Sequence, residues 1–111
     1  MAASNWKEMI DSIHDNDLNS VQYYLDAGVN VNYQHPEYLT TPLITSIELQ
    51  HYDIIKLLLE HGADPSQKAG FSNDTPLLVA KRLQDQQVVA LLKSYLPAPR
   101  SPWERLKAIF R

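Results

Sequence analysis

Four histidines, His14, His35, His51 and His61, are the side chains of this sequence best suited to proton transfer or metal binding. None stands at the short spacing from another that zinc sites on helices and turns use, and the chain has no cysteine to complete such a site. The same absence removes thiol nucleophiles and disulfides. Asp11, Asp15 and Asp17 surround Asn16 like the first positions of a calcium loop. The mid-loop glycine is missing and the closing position holds Asp26 instead of glutamate, so the segment reads as a solvated turn. Ser12, His14 and Asp11 supply the residue types of a hydrolytic triad but crowd one short stretch, with nothing to form a nucleophile elbow or an oxyanion hole. Three glycines in the whole chain cannot assemble a phosphate-cradling loop. The expectation is a chain with no catalytic, cofactor-binding or metal-binding residues.

The 111 residues hold one domain, with 44% hydrophobic and 21% charged residues, the balance of a globular chain. No apolar run approaches the roughly 18 residues that span a bilayer, and Met1 to Glu8 has neither the basic start nor the apolar stretch of a signal peptide. A cytoplasmic location is the default. Charge is unevenly spread: residues 1–99 carry six Lys/Arg against twelve Asp/Glu, net −6, while residues 100–111 carry Arg100, Arg105, Lys107 and Arg111 against Glu104, net +3. An acidic body argues against nucleic acid as a partner, because phosphate binding draws on clustered Lys and Arg.

The elements that would carry any function are set by an internal repeat. At an offset of 34, Thr41-Pro42-Leu43 falls on Thr75-Pro76-Leu77, Ile54-Ile55 on Val88-Val89, and Leu57-Leu58 on Leu91-Leu92. The same shift backwards aligns Gly28 with Gly62, Val21 with Ile55 and Met9 with Leu43. Each copy predicts two short helices. Thr41 and Thr75 are N-cap residues followed by proline at the first helical position, and Asn5 with Glu8 suggests a capping box for the equivalent helix of the first copy. Apolar residues recur at three- and four-residue steps through Ile54 to His61, and Gly62, like Gly28, can end the helix in the left-handed conformation. Helices this short cannot bury their apolar faces alone, so the copies must stack.

The run from Thr41-Pro42-Leu43 through Asp53-Ile54-Ile55-Lys56-Leu57-Leu58-Leu59-Glu60-His61-Gly62-Ala63-Asp64 resembles the ankyrin repeat, with its Thr-Pro-Leu-His opening and Leu-Leu-Leu-x-x-Gly-Ala-Asp close. The resemblance covers about four fifths of the chain and is most specific in the middle copy. Ile44 and Leu78 depart from it in place of histidine, and Asn16, Gln50 and Gln84 in place of the glycine between the helices. By the same resemblance His51 and His61 are packing or turn residues. It implies an all-α solenoid of stacked helix-turn-helix units over residues 1–96, with repeats at about 5–36, 37–70 and 71–96.

The resemblance also implies a non-catalytic protein-binding module, an adaptor or inhibitor, gripping its partner with the loops before Thr-Pro-Leu and the late positions of the first helices. Carried over by position, these are Glu37, Tyr38 and Thr40, then Phe71, Ser72 and Asp74, with Tyr33 one loop earlier. The helix positions are His14 and Asp15, Glu48 and Leu49, and Arg82 and Leu83, of which the leucines could instead be buried between repeats. Tyr38 and Phe71 stand out, since a large aromatic at a solvated loop tip either props the loop or awaits a partner. The acidic surroundings favour a basic or mixed-charge protein partner, and a monomer is expected.

Pro97-Ala98-Pro99 ends the third copy, and Ser101-Pro102-Trp103-Glu104 has the cap, first-turn proline and return glutamate of a new helix over about 102–110. Trp103, Leu106, Ile109 and Phe110 share one face, with Arg105, Lys107 and Arg111 on the others. Residues 97–111 therefore read as a Pro-rich linker and a short basic amphipathic helix. Covering the end of the stack is the favoured role. Contact with a partner groove or an anionic membrane through Trp103, Arg105, Leu106, Lys107 and Phe110 gives the alternative, a peripheral membrane or scaffold-docking protein.

Overall fold

Thr41 and Thr75 begin equivalent helices because each offers its hydroxyl oxygen to an amide three residues on. The Ile44 N–H donates to Thr41 Oγ1 at 3.3 Å and the Leu78 N–H to Thr75 Oγ1 at 3.2 Å, with Pro42 and Pro76 opening the helices. The computed structural model describes residues 5–36, 39–70 and 73–96, and over these the chain forms six helices. They are α1 (Trp6–His14), α2 (Leu18–Asp26), α3 (Pro42–Glu48), α4 (Tyr52–Glu60), α5 (Pro76–Arg82) and α6 (Gln86–Tyr95). Each copy is one antiparallel pair, and α1, α3 and α5 stack in one layer while α2, α4 and α6 stack in a second. The 34-residue offset is thus the spacing of equivalent helix pairs, as the sequence predicts.

Start and stop signals recur in register. Asp17 and Asp85 cap α2 and α6 by accepting the Ser20 and Val88 N–H groups. The capping box expected at Asn5 is not formed: Asn5 sits at φ −93° and ψ 1°, not in the extended conformation that aims a cap oxygen at the third amide, and its side chain accepts no bond from the helix. Five of the helices end alike. After α4, the Gly62 N–H donates to the Leu59 carbonyl and the Ala63 N–H to the Leu58 carbonyl, with Gly62 at φ +91°. After α3 the same pair of bonds runs from Gln50 to Ile47 and from His51 to Ser46, yet Gln50 holds φ +60°. Asn16 (φ +55°) and Gln84 (φ +58°) repeat this after α1 and α5. The positions where the ankyrin pattern has glycine thus keep glycine's conformation without glycine.

The core is a continuous column: Met9, Ile13 and Val21 from the first copy, Leu43, Ile47, Ile54, Ile55 and Leu58 from the second, and Val79, Ala80, Val88 and Leu92 from the third. Burying each large side chain contributes about 1.5–3 kcal/mol, which only stacking can supply to helices of seven to ten residues. The third copy departs at the face that another unit would meet. Ile47 and Leu59 are buried, whereas their 34-residue equivalents Lys81 and Lys93 are exposed, and Ile44 is buried where Leu78 is exposed.

Connections between copies are stitched by hydrogen bonds to backbone. Asn32 Oδ1 accepts the Asp64 N–H at 2.8 Å and its Nδ2 donates to the Gly62 carbonyl at 3.2 Å, tying the connection after α2 to the connection after α4. The His35 N–H donates to the Thr40 carbonyl at 2.8 Å, and Ala69 and Asp74 exchange two such bonds at 2.9 Å, so the described flanks of both loops are narrow hairpins. Gly70 then donates to the Leu39 carbonyl at 2.7 Å, joining one hairpin to the next. Residues 97–111, with the expected C-terminal helix, lie outside the described residues.

Candidate functional site

Three adjoining hollows run along the face made by α1, α3, α5 and the hairpins before α3 and α5. The first is a cavity of about 200 Å³ bounded by Trp6, Ile10, Asp11, Tyr33, His35 and Thr45, with Lys7, His14 and Thr40 completing its wall. Trp6 stacks on Tyr33 with ring centroids 4.8 Å apart and planes 21° from parallel, and His35 meets Trp6 edge-on at 5.1 Å and 79°. The hairpin delivers His35, and the turn in which the Tyr33 N–H donates to the Asn30 carbonyl delivers Tyr33.

The second hollow shares His14, Thr40 and Thr45 with the first and adds Glu48 and Leu49 from the end of α3. Thr40 Oγ1 and Thr45 Oγ1 lie 3.0 Å apart and fix the floor between the two. The third hollow continues through Thr40, Ile44 and Glu48 to Asp74, Val79 and Arg82. There Arg82 forks onto Asp74, Nη1 to Oδ2 at 3.2 Å and Nη2 to Oδ1 at 3.1 Å. This hydrogen-bonded ion pair, with the carboxylate of Glu48 adding to it, holds the guanidinium pKa above its ordinary value. Pairing fixes the orientation of Arg82 although its side chain is 63% exposed. The groove therefore passes from an aromatic end, through threonine hydroxyls, to a carboxylate-rich and charge-paired end.

A family model for ankyrin repeats, three copies, matches residues 9–99. The chain belongs to the ankyrin-repeat family. Members are built from repeats that generally mediate protein–protein interaction and are typically non-catalytic. The relatives this ankyrin-repeat chain is similar to include the human 2-5A-dependent ribonuclease, 38% identical over 72 residues that make up 65% of this chain and 10% of the ribonuclease. A putative ankyrin repeat protein of Fowlpox virus is 44% identical over 59 residues, 53% of this chain and 8% of the viral protein. Another, from Acanthamoeba polyphaga mimivirus, is 28% identical over 87 residues, 78% of this chain and 52% of its own length. The chain thus spans a tenth or less of the first two.

Of the residues singled out from sequence, the structure gathers Tyr33, Thr40, Glu48, Asp74 and Arg82, with His14 and Leu49, along one groove of this ankyrin-repeat chain. Asp15 and Leu83 instead close α1 and α5 as exposed C-caps. Glu37, Tyr38, Phe71 and Ser72 lie outside the described residues, as do Trp103, Arg105, Leu106, Lys107 and Phe110. The sequence reading missed Trp6, His35 and Thr45. Trp6 falls at the loosely matching start of the first copy, and its signal was a lone indole beside Asn5. The four histidines occupy four different settings: His14 lines the groove, His35 abuts Trp6, His51 precedes α4, and His61 contacts the Leu57 carbonyl and Gln22 at 3.0 and 3.1 Å. Among the described residues no group of three metal-ligating side chains forms, and no helix is long and apolar enough to cross a membrane.

Proposed function

We propose that this chain is a non-catalytic adaptor or inhibitor that holds an extended or loop segment of a basic or mixed-charge partner protein along the face of its first helices. One observation carries this reading: the three hollows are continuous, sharing Thr40 and Thr45 or Glu48, and they present an aromatic cluster, hydroxyls and carboxylates in succession over all three copies. Such a surface offers an apolar anchor together with polar groups that set register, as partner-binding grooves do. The carboxylates would act on association rate and discrimination more than on affinity. Tyr38 and Phe71, next in sequence to the groove's hairpin flanks, extend the proposed contact, as do Glu37 and Ser72.

The test is affinity purification from the native host with the full chain. The double substitution Glu48→Arg and Thr40→Arg, and separately Tyr38→Ala with Phe71→Ala, should each weaken the captured partner at least tenfold while circular dichroism stays unchanged. Gln87→Arg, on the exposed side of α6, should leave capture intact. Capture that survives both groove variants but is lost with Gln87→Arg overturns the choice of face. The alternative, docking by the segment of net +3 at residues 100–111, is separated by deleting 97–111, which destabilises the stack if the segment is a cap and delocalises a stable protein if it docks.

A further inference from the structure

The cavity at the start of α1 has contents that a general gripping surface does not require. Its volume of about 200 Å³ has room for a single large side chain. Its wall includes the Trp6–Tyr33 stack, in which each ring covers one face of the other, with His35 edge-on to Trp6, so the π surface left for a ligand is an outward ring face. Asp11 stands on the same rim. Lys7 lies one turn before it on α1, yet no ion pair within 4.0 Å joins them, and the described ion pairs of the chain lie elsewhere, at His61–Asp26 and Arg82–Asp74. Residues 1–70 carry three Lys/Arg against ten Asp/Glu, net −7, while on the cavity wall itself Lys7 stands against Asp11.

We propose that this cavity is an arginine-binding pocket: it takes the guanidinium of one arginine from the partner, stacked against the Trp6–Tyr33 surface and forked onto the Asp11 carboxylate. An aromatic face and an adjacent carboxylate together recognise a planar, delocalised cation that donates in a fixed fork, which lysine cannot match. An aliphatic side chain would fill the space but leave Asp11 partly desolvated without a donor. This assignment rests on the reading of the first-helix face as the partner surface and names the residue that anchors there.

The test uses the full chain with Trp103→Phe, which leaves Trp6 as the sole tryptophan. Acetyl-Gly-Arg-Gly-amide is titrated while the Trp6 indole N–H resonance and fluorescence are followed, in parallel with the citrulline, lysine and leucine peptides. The arginine peptide should perturb Trp6 with millimolar affinity, citrulline should bind at least tenfold more weakly, and Asp11→Asn should reduce arginine binding at least fivefold with an unchanged far-ultraviolet spectrum. Leucine binding as well as arginine, an Asp11→Asn variant with full affinity, or no response of Trp6 to any peptide overturns the assignment. The partner assay separates the two readings: capture lost with Glu48→Arg and Thr40→Arg but untouched by Asp11→Asn sinks the arginine pocket alone, and capture untouched by all of them sinks the face as well.

Discussion

Replacing Gln50 or Gln84 by glycine should stabilise this protein, against the usual effect of adding glycine to a helical domain. Each closes its helix in the left-handed region, at φ +60° and +58°, while donating its own N–H to the carbonyl three residues back. A side chain in that conformation costs about 1–2 kcal/mol through Cβ crowding, and glycine's greater freedom in the unfolded chain takes back about 0.5–1 kcal/mol. The net gain is about 0.5–1 kcal/mol per site. Neither side chain has a hydrogen bond to lose among the described residues. For a domain of this size, 1 kcal/mol moves Tm by about 4–8 °C, so each variant should melt ~2–8 °C higher. Lys56→Gly serves as the control: it is exposed in the middle of α4 and should lower stability by about 1 kcal/mol. Urea titration and thermal melts followed by circular dichroism read both. If Gln50→Gly falls alongside Lys56→Gly, the left-handed turns carry no strain for glycine to relieve.

Asn32→Ala removes the acceptor for the Asp64 N–H and the donor to the Gly62 carbonyl, and should cost about 1–2 kcal/mol in urea unfolding, with Asn32→Asp falling between because it keeps the acceptor. Acid should weaken the fold in a defined window. Hydrogen bonds from the Ser20 hydroxyl and amide hold the Asp17 carboxyl below its ordinary value of 3.8, and those from Ser66 do the same for Asp64. A depressed folded pKa contributes stability that is present above the unfolded value and disappears as pH falls through the folded one. Denaturant midpoints measured at pH 7 and pH 3 should therefore converge in an Asp17→Asn, Asp64→Asn double variant relative to the parent, and an unchanged difference would rule these carboxylates out.

The architecture was legible because its signals are local and repeated: a capping threonine, a proline, an apolar period and a glycine stop, 34 residues apart. Where a signal lacked its backbone setting, as at Asn5, reading the residue type alone misled, since a cap depends on φ and ψ as much as on the side chain. The groove was half legible. Position within the repeat located Tyr33, Thr40, Glu48, Asp74 and Arg82, because a solenoid places equivalent residues on one face. The Trp6–Tyr33–His35 cluster joins a helix start to a loop 27 residues later, and no period connects them. The Asp74–Arg82 fork likewise bridges a hairpin and the far end of α5, a pairing that only the folded turn creates.

Lys81 and Lys93 give the array a direction of growth. A duplicate of the second copy spliced between the second and third would meet matching oily planes on both sides and could lengthen the solenoid. The same unit spliced after Leu96 would have to seat itself on two ammonium groups, so expansion by tandem duplication is tolerated inside this array and resisted behind it.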